Sequence, residues 1–178
     1  RVRVVQHETN QGLGAGIRTG IQEARGDLVV TLDTDLTFAP SLVQRLLERY
    51  RQGDVDVVSG SPKRASYGEG VPKHRIAISY LATAVYAVVI GVWVRDVSPI
   101  LRLYQRVQLL NLPLEAKRFD INAEILFHLV RQGRRIAEVP APLTQRIYGE
   151  SKMDYRAEIF RHLRLVWRMI KLRIQEWL

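Results

Sequence analysis

The sequence predicts an α/β domain, and two observations carry that prediction. Strand-like and helix-like segments alternate from the amino terminus to Ser59, and the apolar run Leu28-Val29-Val30-Thr31-Leu32 drives straight into two carboxylates, Asp33 and Asp35. A β-α-β-α-β rhythm points to a mostly parallel sheet flanked by helices. Residues i and i+2 of an extended segment share a side, so Asp33 and Asp35 can reach one small region at the carboxyl end of their strand.

The elements follow in order. Residues 1–5 read as a short strand, and His7 to Gly16 as a loop holding Asn and Gly. Ala15 to Ala24 has helical periodicity, with Ile17, Ile21 and Ala24 on one face and Arg25-Gly26 as the expected C-cap. Leu28 to Leu32 is a buried strand. Pro40 lies near the start of a helix to about Gln52 that carries Leu42, Val43, Leu46, Leu47 and Tyr50. Val55 to Ser59 is the next strand. Gly60 to Lys73 is a loop with Lys63, Arg64 and Lys73. A short Leu101 to Tyr104 segment follows later, then a helix from Ile121 to Arg131 and a strand from Ile136 to Val139 that Pro140 and Pro142 end. Gln145 to Lys152 is a polar loop, and Tyr155 to Leu178 one long helix. The expected organisation is a domain over residues 1–152 and a basic amphipathic helix over 153–178. The chain opens on Arg1 with a strand-like run at once, so an amino-terminal portion is expected to precede it.

Composition narrows the class. The chain has 178 residues, 47% hydrophobic and 25% charged, which is the make-up of a globular domain with a sizeable core. Its net charge of +9 implies an acidic partner: nucleic acid, an anionic membrane surface or a phosphorylated substrate. The basic residues form a helix stripe and a loop cluster rather than an aromatic-interleaved face, which argues against nucleic acid. With no cysteine there is no disulfide, thiolate metal site or thiol nucleophile.

Five segments carry candidate chemistry. Two hard oxygen donors at Asp33 and Asp35 suit Mg²⁺ or Mn²⁺ sharing the oxygens of a bound phosphate; a solvated turn is the alternative. Gly12, Gly14 and Gly16 open a helix after a strand, as in a dinucleotide-binding oxidoreductase. The spacing and the long preceding loop depart from that fingerprint, and glycines that let the helix start pack tightly are the favoured reading, with Arg18 as a candidate phosphate contact. Ile76 to Val94 is uncharged between Arg75 and Arg95. Its length is near the roughly 20 apolar residues that cross a bilayer, yet it holds Ser79, Tyr80, Thr83, Tyr86 and Gly91. Interfacial helices over about 76–94, a buried core helix and a span remain open. In the last helix Arg161, Arg164, Arg168 and Lys171 form a stripe, and Leu163, Val166, Trp167, Ile170, Ile174 and Trp177 an opposed apolar face, the pattern of a helix on an anionic membrane. Arg146, Ser151 and Lys152 place two cations and a hydroxyl in one loop that can close over a diphosphate.

The ordered series Asn-x-Gly-x-Gly-x-Gly-x-Arg-x-Gly from Asn10, Asp-x-Asp-Leu-x-x-x-Pro from Asp33, Arg-Leu-Tyr at Arg102, Ala-Glu-Ile-Leu at Ala123, Glu-Val-Pro at Glu138 and Arg-x-Tyr-Gly-Glu-Ser-Lys from Arg146 resembles the dolichol-phosphate mannosyltransferases. These are inverting family 2 glycosyltransferases with a GT-A fold. The resemblance implies transfer of mannose or glucose from a nucleotide-sugar to a polyprenyl phosphate at the cytoplasmic face of a membrane, by a peripheral or monotopic protein. It implies that Asp33 and Asp35 hold the divalent metal and donor diphosphate, with Thr37 where the family often has a metal-contacting Gln. Arg75 and Ser79, one helical turn apart, match a pair that grips the lipid phosphate. Lys63 or Arg64 stand in for a family arginine that falls on Pro62. Arg146, Ser151 and Lys152 match the loop that closes on the donor. Asp35, Asp96 and Glu124 are the implied catalytic or orienting carboxylates. The segment from Asp96 to Arg102 departs from the family's Thr-rich, Gly-containing pattern, and the family's first strands are not in the sequence. A non-catalytic membrane-associated module of the same fold is the alternative.

Overall fold

The computed structural model describes residues 2–62, 73–143 and 155–177. Helix α1 (Leu13–Glu23) leads into strand β1 (Leu28–Thr31), helix α2 (Leu42–Tyr50) and strand β2 (Val57–Ser61). Helix α3 (Lys73–Ile90), strand β3 (Arg102–Gln105), the short helix α4 (Arg106–Leu110), helix α5 (Ile121–Arg131), strand β4 (Ile136–Pro140) and helix α6 (Tyr155–Trp177) complete the chain. The strand order is β1-β3-β2-β4. β3 is antiparallel to both β1 and β2, while β2 and β4 are parallel, so three strands share one direction and β3 is inserted against them.

Register explains both the core and the site. Val29, Tyr104, Val57 and Ile136 lie directly opposite one another across the four strands; the first three belong to one buried apolar cluster that α1, α3, α5 and α6 cover, and Ile136 packs against it. Two residues along, the row is Thr31, Arg102, Ser59 and Glu138. Side chains repeat every two residues on a sheet face, so this polar row lies on the same face, next to the carboxyl ends of β1, β2 and β4. The other face carries Val58, Leu101 and Leu103, packed on Phe38, Leu42 and Leu46 of the α2 side. Gly60 is required there: a Cβ would stand 2.7 Å from Leu101 Cδ2 and 2.9 Å from Ala141 Cβ.

Several expectations are corrected. Residues 2–5 are not a strand, and Val2 is 91% exposed, because a strand needs a ladder partner and none of the described strands pairs with this segment. Helix α1 does not use Arg25-Gly26 as a C-cap; Ala24 turns extended at φ −61°, ψ 143° and the chain runs directly into β1. The uncharged stretch is one helix that stops at Ile90, where Gly91 takes φ +86° and Arg173 donates to the carbonyls of Val88 and Val89. A cation on the last carbonyls satisfies groups that a helix end leaves open. Among the described residues no helix is long and apolar enough to cross a membrane. Instead α3 buries Thr83, Tyr86, Val89 and Ile90 and exposes Ile78, Leu81, Val85 and Val88.

The faces of α6 also differ from the expected pattern. Leu165 and Met169 are the buried side, while Leu163, Trp167 and Ile174 share the exposed side with Arg164 and Lys171. Arg161 and Arg168 turn to Glu158, Glu115 and Glu124. Spacing alone cannot tell which of two apolar stripes meets the core.

Candidate active site

A cleft of about 200 Å³ opens beside the polar row, lined by Asp33, Ser79, Asp96, Ser98, Phe119 and Asn122 among others. Asp33 arrives from the turn after β1, Ser79 from α3, Asp96 and Ser98 from the loop before β3, and Asn122 from the first turn of α5. Three sequence-predicted residues, Asp33, Ser79 and Asp96, are therefore brought to one place from distant segments.

The acidic turn has its own local logic. β1 ends at Thr31, so Asp33 to Thr37 form a turn rather than a strand continuation. Asp35 Oδ1 accepts from Thr37 N at 3.1 Å and from Thr37 Oγ1 at 2.7 Å, an Asx-type turn. Leu36 is held at φ +59°, a left-handed conformation that non-glycine residues rarely adopt. Thr37 thus orients Asp35. Two carboxylates fit a hard divalent cation that completes its shell with water and phosphate oxygens. A cage made of protein alone would need more, and among the described residues no group of three or more His, Asp or Glu side chains converges.

The opposite wall is a buried polar network. Ser61 Oγ donates to Asp96 Oδ2 at 2.5 Å, and the Asp96 amide donates to Glu138 Oε1 at 3.1 Å. Asn122 Nδ2 donates to the Ser98 carbonyl at 3.1 Å. Arg102 Nε reaches Ser59 Oγ, and its terminal nitrogens reach the carbonyls of Asn122, Asp96 and Val97. Sequence reasoning did not single out Asn122 or Arg102 as site residues. The signal was present in Arg102: a cation inside the apolar run Ile100-Leu101-Arg102-Leu103-Tyr104.

Asp35 and Thr37 stand in the turn beside Asp33 without lining the cleft, and two further predicted residues lie elsewhere. Glu124 does not line the cleft; its carboxylate accepts from the amides of Glu115 and Ala116 and pairs with Arg168. Arg18 donates to the Ala116 carbonyl at 2.7 Å. Both serve the 115–117 loop, on which the glycine-rich helix start rests: Gly14 N donates to Lys117 O at 3.0 Å, and a Cβ on Gly14 would sit 2.1 Å from Ala116 O. This close backbone approach agrees with the packing reading of the glycines. Lys63, Arg64, Arg146, Ser151 and Lys152 lie outside the described residues. Arg75 lies in the first turn of α3, one turn before Ser79, and its side chain is likewise outside them.

An acidic turn at the end of a strand faces a cleft on a mixed sheet with a reversed inner strand, and solved glycosyltransferases share this arrangement, the GT-A fold. Glucosyl-3-phosphoglycerate synthase from Mycobacterium tuberculosis, solved with phosphoglyceric acid, shares that fold at a TM-score of 0.64 and 20% identity over 97% of this chain and 56% of its own. The same synthase solved with Mn²⁺, uridine diphosphate and glucosyl-3-phosphoglycerate superposes equally well, over 91% of this chain and 55% of that one. The chain belongs to glycosyl transferase family 2, whose family profile matches residues 1–111. It is 33% identical over 162 residues to an undecaprenyl-phosphate mannosyltransferase of Micrococcus luteus, covering 86% of this chain and 65% of the relative. It is 27% identical over 174 residues to a dolichol-phosphate mannosyltransferase of Pyrococcus furiosus, covering 96% of this chain and 48% of the relative. The chain thus spans about half to two-thirds of the length of these curated relatives.

Proposed function

We propose that this chain carries the transfer site of a divalent-metal-dependent glycosyltransferase that moves a hexose, mannose or glucose, from a nucleotide-sugar to a polyprenyl phosphate. The observation that carries the reading is the single cleft that Asp33, Ser79 and Asp96 line together. The relatives named for undecaprenyl- and dolichol-phosphate mannosyl transfer support the acceptor class, and the Mn²⁺ and uridine diphosphate of the fold relative support the donor and metal.

In this reading Asp33 and Asp35 hold Mg²⁺ or Mn²⁺, which neutralises charge on the diphosphate leaving group when bound. Thr37 keeps Asp35 in position. Ser79, with Arg75 one turn earlier, receives the acceptor phosphate. Lys63 and Arg64 add cations on the acceptor side, and Arg146, Ser151 and Lys152 close over the donor diphosphate. A phosphate monoester is already ionised at neutral pH, so its oxygen attacks the anomeric carbon without a strong base, and the nucleoside diphosphate departs. Asp96 orients the acceptor from the buried wall. What the protein supplies is alignment and exclusion of water.

The exposed apolar side of α3 and the mixed apolar and basic side of α6 support placement on an anionic membrane surface, where such an acceptor resides. Calorimetric titration of UDP and GDP, with and without Mn²⁺, tests the donor half. Mn²⁺-dependent binding that Asp33→Asn weakens is expected; binding indifferent to both the metal and the substitution contradicts the reading.

A further inference from the structure

Arg102 is wholly buried, at 0% exposure, in the middle of the sheet. Burying a guanidinium costs several kcal/mol unless its donors are satisfied. Here they are satisfied in an unusual way. Nε donates to Ser59 Oγ at 3.1 Å, one terminal nitrogen to Asn122 O at 2.9 Å, and the other to Asp96 O at 3.1 Å and Val97 O at 2.8 Å. Among the described residues these acceptors are all neutral oxygens. Three of them are backbone carbonyls of the wall that faces Asp33 and Ser79, and two of the residues concerned, Asp96 and Asn122, line the cleft. Asn122 closes the arrangement by donating to Ser98 O at 3.1 Å.

A planar fork with fixed donor directions is needed to hold carbonyls from two segments at once, and a lysine ammonium cannot reproduce it. The fork also leaves a positive charge, spent on no carboxylate among these partners, beneath the wall where an anionic head would sit. We propose that Arg102 is a positioning residue for the acceptor side: it clamps the 96–98 loop to the first turn of α5 and sets the wall against which the acceptor phosphate is aligned. The inference rests on the reading of the cleft as a sugar-phosphate transfer site.

The test is steady-state transfer from nucleotide-sugar to undecaprenyl phosphate in detergent with Mn²⁺, by the wild type, Arg102→Lys and Asn122→Ala, with melting temperatures measured beside it. Asn122→Ala leaves the carbonyl that Arg102 uses and removes only the tie to Ser98, so it remains informative where Arg102→Lys fails to fold. Both variants are expected to raise KM for the polyprenyl phosphate, Arg102→Lys on the order of tenfold for lost hydrogen bonds from a charged group and Asn122→Ala about threefold to tenfold for a neutral one, with KM for the nucleotide-sugar within about twofold. A fall in melting temperature with both KM values unchanged, or an equal rise in both, overturns the proposal while leaving the transferase reading intact. A folded wild type that neither transfers sugar nor binds either substrate overturns the transferase reading and this proposal with it.

Discussion

Glu124 of α5 and Arg168 of α6 form an ion pair in which the carboxylate is completely buried. The same carboxylate accepts from the amides of Glu115 and Ala116, and Arg168 also reaches Glu115 at 2.6 Å. This acid, expected near the acceptor, does not line the cleft, and its carboxylate ties a loop to the last helix. The pair is a structural link between α6 and the support of α1.

Removing the cation leaves a buried charge with only amide partners. Arg168→Ala is expected to destabilise the fold by about 2–3 kcal/mol, somewhat below the full cost of breaking a buried pair because the arginine is partly exposed. Urea denaturation checks this as a lower midpoint with an unchanged slope.

The glycines of the α1 start separate by environment. A Cβ on Gly14 collides with the Ala116 carbonyl, whereas one on Gly16 meets nothing within 4 Å. Gly14→Ala is expected to lose about 1–3 kcal/mol or more by overpacking. Gly16→Ala is expected to gain up to about 1 kcal/mol from helix propensity. Thermal denaturation of the two variants tests the packing role directly.

Two histidines are expected to make the fold acid-sensitive. Burial holds His162 below its ordinary 6.5, outweighing the opposite pull of Asp120 and Glu158, and its Nδ1 lies 2.6 Å from the Tyr86 hydroxyl. Burial, then the Arg131 cation, lowers His128 as well. A base that is harder to protonate in the fold than in the unfolded chain binds fewer protons when native. Stability is therefore full above pH 6.5 and falls as the pH drops below that value towards the depressed native values. Melting temperature is expected to decline on acidification from pH 7 to pH 5, and His162→Gln to flatten part of that decline.

The outward side of α6 combines Phe160, Leu163, Trp167, Arg164 and Lys171. If it rests on anionic lipid, each cation near the surface contributes about 1 kcal/mol, so Arg164→Gln with Lys171→Gln weakens vesicle binding by roughly thirtyfold. Co-sedimentation with phosphatidylglycerol vesicles measures it, and both residues are exposed, so the fold is expected to be unaffected.

Much of this architecture is legible in the residues, and the failures have physical causes. Helix α5 matches its expected bounds because apolar periodicity and length agree over Ile121–Arg131. β3 gave little strand signal, since two of its four residues, Arg102 and Gln105, are polar, and their polarity serves inward hydrogen bonds rather than solvent. Local pattern also cannot reveal that this strand enters reversed between β1 and β2. Residues 2–5 have the β-branched composition of a strand, but pairing is non-local. At the site, Asp33 could be read from its strand, and Ser79 and Asp96 from the family resemblance. For Glu124 the sequence shows an acid on a helix but neither its burial nor its partner on another helix.

In the proposed function, the acidic turn and the cleft it faces transfer sugar to a lipid phosphate. The most direct measurement is transfer of labelled hexose from GDP-mannose or UDP-glucose to polyprenyl phosphate with Mn²⁺, comparing the wild type with Asp35→Ala. Metal-dependent transfer by the wild type, lost by at least about a hundredfold in the variant as for removal of a charge-stabilising group, is the predicted result. Equal transfer by Asp35→Ala, or transfer unaffected by chelating the metal, would contradict it.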